Sequence, residues 1–139
     1  MQRRQVLMIE DNPGDATLVR EALKEADLSF EFTHLKDGDE AVDFIDAIAQ
    51  SGKPQPDLVL LDLHLPKRNG WRVLAAIRSN PLLKLLPVVI FTSSSDPRDR
   101  ALGENADHSI YIRKPSTIEE FMAVGREIRR FAFDYWESA

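Results

Sequence analysis

Leu58-Val59-Leu60-Leu61-Asp62-Leu63-His64-Leu65-Pro66 decides how this chain is read. Four apolar residues run without alternation, and a carboxylate arrives where the run stops. A short unbroken apolar run fits a strand covered on both faces, the setting of a parallel sheet between two layers of helices. An aspartate at such a strand's end is either a turn former or a group held for chemistry.

The same pattern recurs on both sides of this stretch. Val6-Leu7-Met8-Ile9 is followed by Glu10-Asp11-Asn12-Pro13-Gly14-Asp15, and Val88-Val89-Ile90-Phe91 by Thr92-Ser93-Ser94-Ser95. Ser109-Ile110-Tyr111-Ile112 is a weaker run, followed by Arg113-Lys114-Pro115-Ser116. Phe30-Glu31-Phe32-Thr33 alternates, which suits an edge strand with one face exposed. Helical stripes lie between the runs: Leu18, Val19, Ala22 and Leu23; Ala41, Val42, Ile45 and Ile48; Val73, Leu74 and Ile77. A short, weak helix is expected over 99–104. The last helix is expected to start at a capping box, Ser116-Thr117-Ile118-Glu119, and to bury Phe121, Val124, Ile128, Phe131 and Tyr135, with Ala132, Phe133 and Trp136 widening the stripe near its end.

Five strands alternating with five helices imply βαβ units and a parallel α/β sheet. The 139 residues fit one domain, 1–139, with no linker and no repeat. Apolar residues make up 43% and charged residues 29%, ordinary for a globular chain. The net charge of −5 argues against a nucleic-acid partner, whose binding surface should be basic. No apolar run approaches the roughly 20 residues of a membrane span. The apolar stretch after Arg3-Arg4 is also too short for a signal peptide. Cysteine is absent, which removes thiolate chemistry and permits a reducing compartment. A cytoplasmic location is the expectation.

In an open α/β sheet ligands bind beyond the carboxyl ends of the strands. Those ends carry Glu10-Asp11, Asp62, Thr92 and Lys114, and the strands themselves are almost purely apolar. Three carboxylates on one rim repel one another and call for a cation, and oxygen ligands suit Mg²⁺. A carboxylate can attack phosphorus to form an aspartyl phosphate, whose oxygens the Lys114 ammonium and Thr92 hydroxyl could then bind. Taken singly, Asp11 and Asp62 are more often turn formers or helix caps, Thr92 a strand-end residue and Lys114 a solvated side chain. Four such groups arriving in register favour chemistry.

These residues resemble the receiver domain of two-component response regulators. The likeness rests on Glu10-Asp11, Leu61-Asp62-Leu63 with Pro66 and Gly70, Thr92, and Lys114-Pro115, and it covers nearly the whole chain. It implies a flavodoxin-like (βα)5 fold with strand order 2-1-3-4-5. It makes Asp62 the phosphoacceptor. Asp11, Asp62 and the backbone carbonyl of His64 become ligands of Mg²⁺, for which Mn²⁺ or Ca²⁺ could substitute in a crystal. Glu10 would sit near the metal or act through water. Thr92, Lys114 and Tyr111 would bind the phosphoryl group and switch, with Tyr111 as plain strand packing the alternative. The Lys114–Pro115 bond is expected to be cis, as is usual in that family. His64 and Ser94 depart from commoner patterns at positions that line the path of the attacking water.

A sensor histidine kinase is the implied phosphoryl donor. The spelling from Ile9 to Asp15, Leu65-Pro66-Lys67-Arg68-Asn69-Gly70 and the aromatic tail resemble small stand-alone regulators of phytochrome-type kinases. With no output domain expected, signalling would pass through contacts rather than enzymatic turnover. A homodimer through Phe131, Phe133, Tyr135 and Trp136 is expected, the alternative being that these rings fold back on their own domain. A haloacid-dehalogenase-type phosphohydrolase also uses an aspartate nucleophile, but His64 stands where its second aspartate would be. A nucleotide-binding protein lacks its Gly-rich loop here. A phosphorylation-independent interaction module is the remaining alternative.

Overall fold

The computed structural model describes residues 3–50, 52, 54–67 and 69–134. Strands β1 (Arg4–Ile9), β2 (Phe30–Leu35), β3 (Leu58–Leu61), β4 (Val88–Thr92) and β5 (Ser109–Arg113) form one parallel sheet in the order β2-β1-β3-β4-β5. Helices α1 (Pro13–Glu25), α2 (Gly38–Ala47), α3 (Gly70–Ser79), α4 (Pro97–Asn105) and α5 (Ile118–Arg129) follow the strands in turn.

The apolar runs lack alternation because both faces are covered. Val6 and Met8 of β1, Leu58 and Leu60 of β3, and Val89 and Phe91 of β4 pack with Val19 and Leu23 of α1 and Phe121, Val124 and Ile128 of α5. Their neighbours Leu7, Ile9, Val59, Leu61, Val88 and Ile90 pack with Ile45 of α2 and Val73 and Ile77 of α3. Fully burying one such side chain contributes roughly 1.5–3 kcal/mol on either face. The apolar pattern therefore cannot fix register by itself. The charged strand ends can: a slip of one residue would carry buried Glu10 or Asp62 in among the apolar layers and away from Lys114, at a cost of several kcal/mol per unpaired charge.

Local chemistry sets the helix ends. The Asn12 side chain caps α1, accepting from Gly14 N at 2.9 Å and Asp15 N at 3.2 Å, with Pro13 opening the helix. Asp37, Asn69 and Asp96 cap α2, α3 and α4. The cap of α5 lies one residue later than the sequence suggests. Thr117, not Ser116, accepts from Glu120 N at 3.2 Å and donates to Glu120 Oε1 at 3.0 Å. Helix α4 leaves its one large apolar side chain, Leu102, exposed and buries only Gly103, over Ile90 and the Tyr111 ring.

Past α5 the chain widens into a π-helical turn, Arg130–Asp134. This shifts the depth of the stripe towards its widened end. After Ile128 the buried residues are Ala132 and Phe133, while Phe131 is half-buried against the same core. The extra residue per turn rotates Phe133 inward, where Arg4 lies 4.7 Å over its ring. Phe133 is thus core rather than a dimer contact. Tyr135 and Trp136 lie outside the described residues.

Candidate functional site

Strands β1 and β3 are neighbours with Ile9 opposite Leu61, so the residues that follow each strand emerge side by side. The Asp62 N–H donates to the Ile9 carbonyl at 3.1 Å. Glu10 is fully buried and Asp62 is 5% exposed, whereas Asp11 faces solvent. One ligand oxygen from each of the three lies within 4.8 Å of the others. On the far side β5 lies next to β4, and Lys114 N donates to the Thr92 carbonyl at 2.8 Å. From there the Lys114 ammonium reaches Glu10 Oε1 at 2.7 Å, Asp15 Oδ2 at 2.8 Å and Asp62 Oδ2 at 3.0 Å. This is the switch point of the sheet, where the strand order reverses between β1 and β3.

Burial dominates the electrostatics of Glu10. It pushes the carboxyl up to about 7 against the opposing pull of Lys114, and the nearby Asp62 charge adds to the rise. Asn12 N–H, donating to Oε2 at 3.2 Å, offsets only part of this. Burial alone would lower Lys114. Its contacts with Asp15 and Glu10 and the charge of Asp62 outweigh it and hold the ammonium well above the ordinary lysine range.

Lys114 meets Glu10 Oε1 as an ion pair without hydrogen-bond alignment, so a buried carboxylate oxygen keeps unfilled lone pairs. Three clustered carboxylates, one of them poorly solvated and reluctant to ionise, form a hard-oxygen donor set. It fits a divalent cation of the Mg²⁺ type. Glu10, Asp11 and Asp62 are the side chains that would hold it.

The β3–α3 loop is fixed tightly around Asp62. His64 N donates to Asp62 Oδ1 at 3.1 Å, and Gly70 N donates to the Leu63 carbonyl at 2.9 Å. At Gly70 any Cβ would collide with the Asp62 carbonyl, so α3 can start against the acceptor loop only with glycine there. Gly38 N, at the start of α2, donates to the Pro66 carbonyl at 3.1 Å. The His64 side chain is exposed.

The β4–α4 loop is held by a hydrogen-bonded network centred on Ser94. Ser94 N donates to the buried Thr92 Oγ1 at 3.3 Å, and Ser94 Oγ donates to Asp99 Oδ2 at 2.7 Å. Tyr111, half-buried, donates its hydroxyl to the Ser94 carbonyl at 2.8 Å. Asp99, in the first turn of α4, also accepts from Trp71 Nε1 of α3 at 3.2 Å. The structure thus gathers Glu10, Asp11, Asp62 and Lys114, and links Thr92 to Tyr111 through Ser94.

Sequence reasoning missed three of these groups. Asp15, on Lys114, reads as an ordinary acidic first-turn residue of α1. Asp99 and Trp71 join only in the folded chain. The expected cis bond is also corrected: among the described residues no peptide bond is cis. A trans X–Pro bond is preferred by roughly 0.5–1 kcal/mol. Lys114 reaches all three carboxylates with the bond to Pro115 trans.

Comparison with known proteins agrees with this arrangement. Residues 6–125 match the model of the response regulator receiver domain. The chain belongs to that family. It is 35% identical over 127 residues to the response regulator Rcp1 of Synechocystis sp., a match covering 91% of this chain and 86% of that one. The crystal structure of the Mn²⁺-bound form of Rcp1 superposes with a TM-score of 0.82 at 33% identity, covering 94% and 95% of the two chains. The phosphorylated cyanobacterial phytochrome response regulator RcpA gives a TM-score of 0.85 at 31% identity, covering 96% of each. Among the described residues no helix of this receiver is long and apolar enough to cross a membrane.

Proposed function

We propose that this receiver takes a phosphoryl group on Asp62 from the phosphohistidine of a sensor kinase. The observation that carries the reading is Asp62 itself. It is a nearly buried carboxylate, clustered with Glu10 and Asp11 and 3.0 Å from a lysine ammonium. In the transfer an Asp62 oxygen attacks phosphorus and the P–N bond of phosphohistidine breaks. The histidine leaves as imidazole, its nitrogen taking a proton. Lys114 stands where it can bind a phosphoryl oxygen, and Thr92 can turn its hydroxyl towards another. His64 would offer its carbonyl to the cation. A bound Mg²⁺ would neutralise the charge gathered on the carboxylates and the phosphoryl oxygens.

Tyr111 would then follow. If Thr92 draws Ser94 towards the phosphoryl group, the Ser94 carbonyl leaves the Tyr111 hydroxyl and the ring is free to repack. That shift in population would be the signal, read by contact rather than by turnover. The likeness to Rcp1 and to the phytochrome response regulator RcpA supports a phytochrome-type kinase as donor, and a cytoplasmic location belongs to the same proposal. A homodimer remains part of the reading. With Phe133 in the core, the candidate for it among the described residues is the half-buried Phe131, while Tyr135 and Trp136 lie outside them.

The test is acetyl phosphate with Mg²⁺ followed by intact mass. One added phosphoryl group is expected, absent in Asp62→Asn and absent when the metal is chelated. Phosphorylation that survives Asp62→Asn, or sustained hydrolysis of a phosphate ester over many turnovers, would overturn the reading.

A further inference from the structure

Three of the carboxylates at the site have a role as cation ligands, and Asp15 has none. It stands apart from the Glu10, Asp11 and Asp62 group whose oxygens converge within 4.8 Å. Yet it makes one of the three contacts on Lys114, at 2.8 Å, and that contact is a hydrogen bond as well as an ion pair. The side chain is 21% exposed and Lys114 11%.

Asp15 is also rigidly placed. Its backbone N–H is held by Asn12 Oδ1 at 3.2 Å in the first turn of α1, where the helix dipole favours a negative charge. The other two contacts of Lys114 are on oxygens that a divalent cation would also claim. A cation arriving on Glu10 and Asp62 repels the ammonium and competes for the same lone pairs. Asp15 is the one anchor in this set that such a cation leaves to the lysine.

We infer that Asp15 is a positioning residue for phosphoryl acceptance, holding the Lys114 ammonium beside Asp62 while Glu10 and Asp62 turn to the metal. This rests on the proposed role of Asp62. An ammonium has three N–H donors. One stays on Asp15, which leaves the others for the incoming phosphoryl oxygen and whatever remains of Glu10.

Two measurements test it, and they fail separately. The first is the rate of phosphorylation by acetyl phosphate at saturating Mg²⁺. Asp15→Ala should slow it roughly tenfold, the scale of one charge-assisted hydrogen bond, and Asp15→Asn, which keeps an acceptor oxygen, should fall between. In a Lys114→Ala background Asp15→Ala should add nothing. A further tenfold loss there, or faster phosphorylation in both Asp15 variants, would refute the inference, the latter pointing to simple repulsion of the incoming dianion.

The second needs no phosphoryl transfer and so decides the matter even if the wild type accepts no phosphate. Lys114 acylation by an amine-reactive ester is followed by peptide mass mapping, with exposed Lys24 as reference. In the wild type Lys114 should stay protected with and without Mg²⁺. In Asp15→Ala, Mg²⁺ should raise its labelling at least about fivefold as the ammonium swings to solvent, the scale of losing one charge-assisted contact. Equal protection in the two proteins would overturn the inference.

Discussion

Replacing Glu10 by Gln should make the metal-free protein more stable at pH 8 while destroying its response to Mg²⁺. The reason is the proton affinity of the buried carboxyl. It ordinarily titrates at 4.5 and is pushed up to about 7 in the folded chain, first by burial and further by the Asp62 charge, against the pull of Lys114. Between these values the folded state holds the proton more tightly than the unfolded one. Stability therefore falls as pH rises through that window and levels off above it. The interval corresponds to at most about 3 kcal/mol. Gln carries no charge to desolvate, but it also gives up the 2.7 Å contact with Lys114. A net gain of about 1–2 kcal/mol at pH 8 is the expected outcome.

For a domain of this size that is a rise of roughly 3–10 °C in Tm in EDTA, fading to nothing near pH 4.5, where both side chains are neutral. The same proton must leave before a cation can bind. Wild-type Mg²⁺ affinity should accordingly rise about tenfold per pH unit below 7 and flatten above it. In Glu10→Gln it should be weak and flat. Thermal melts from pH 5 to 9 and titration calorimetry at pH 6, 7 and 8 measure both. A Tm difference that is independent of pH, or a variant less stable than wild type at pH 8, would refute the reasoning.

Gly125→Ala should cost about 2–4 kcal/mol in urea unfolding, because the added Cβ would strike the Ala22 carbonyl where α5 crosses α1, and backbone cannot yield as a side chain can; a loss under about 0.5 kcal/mol would mean the two helices separate freely. Asp99→Ala removes the acceptor for both Trp71 Nε1 and Ser94 Oγ, so Trp emission should shift in the unphosphorylated protein and acetyl phosphate should phosphorylate it about two- to fivefold faster, the loop being already released. An unchanged spectrum and rate would mean the network does not restrain the loop.

The central fold was legible because parallel strands buried on both faces admit little but apolar residues, and β1, β3 and β4 obey that rule from Val6, Leu58 and Val88 up to the Thr92 that ends β4. The acidic rim was legible for the converse reason: Glu10 and Asp62 have no place in those strands, so their position marks where the strands end. What the sequence could not reveal were effects of one extra residue or of distant pairing. Ser116 and Thr117 are equivalent as cap candidates on paper, and only the helix start separates them. The π-helical turn makes Ala132 and Phe133 more deeply buried than Phe131, an ordering that a 3.6-residue pattern does not mark. Asp15 looked like a helix-dipole residue because its partner, Lys114, is 99 positions away.

The high proton affinity of Glu10 and the fit to a divalent cation have one cause. Glu10, Asp15 and Asp62 surround a single ammonium and Asp11 stands beside Glu10 and Asp62, so the fully ionised site carries more negative charge than its one cation can balance. It can shed the excess by protonating Glu10 or by taking a doubly charged ion, and these compete for the same oxygens. Turning Asp62 into an acyl phosphate exchanges one negative charge for nearly two, which the proton cannot offset but the ion can. Cation and phosphoryl group must therefore be coupled in affinity. Ser94 extends the consequence: it joins Thr92, Asp99 and Tyr111. A pull on Thr92 from a new oxyanion would therefore act on hydrogen bonds that reach α4, β5 and, through Trp71, the start of α3.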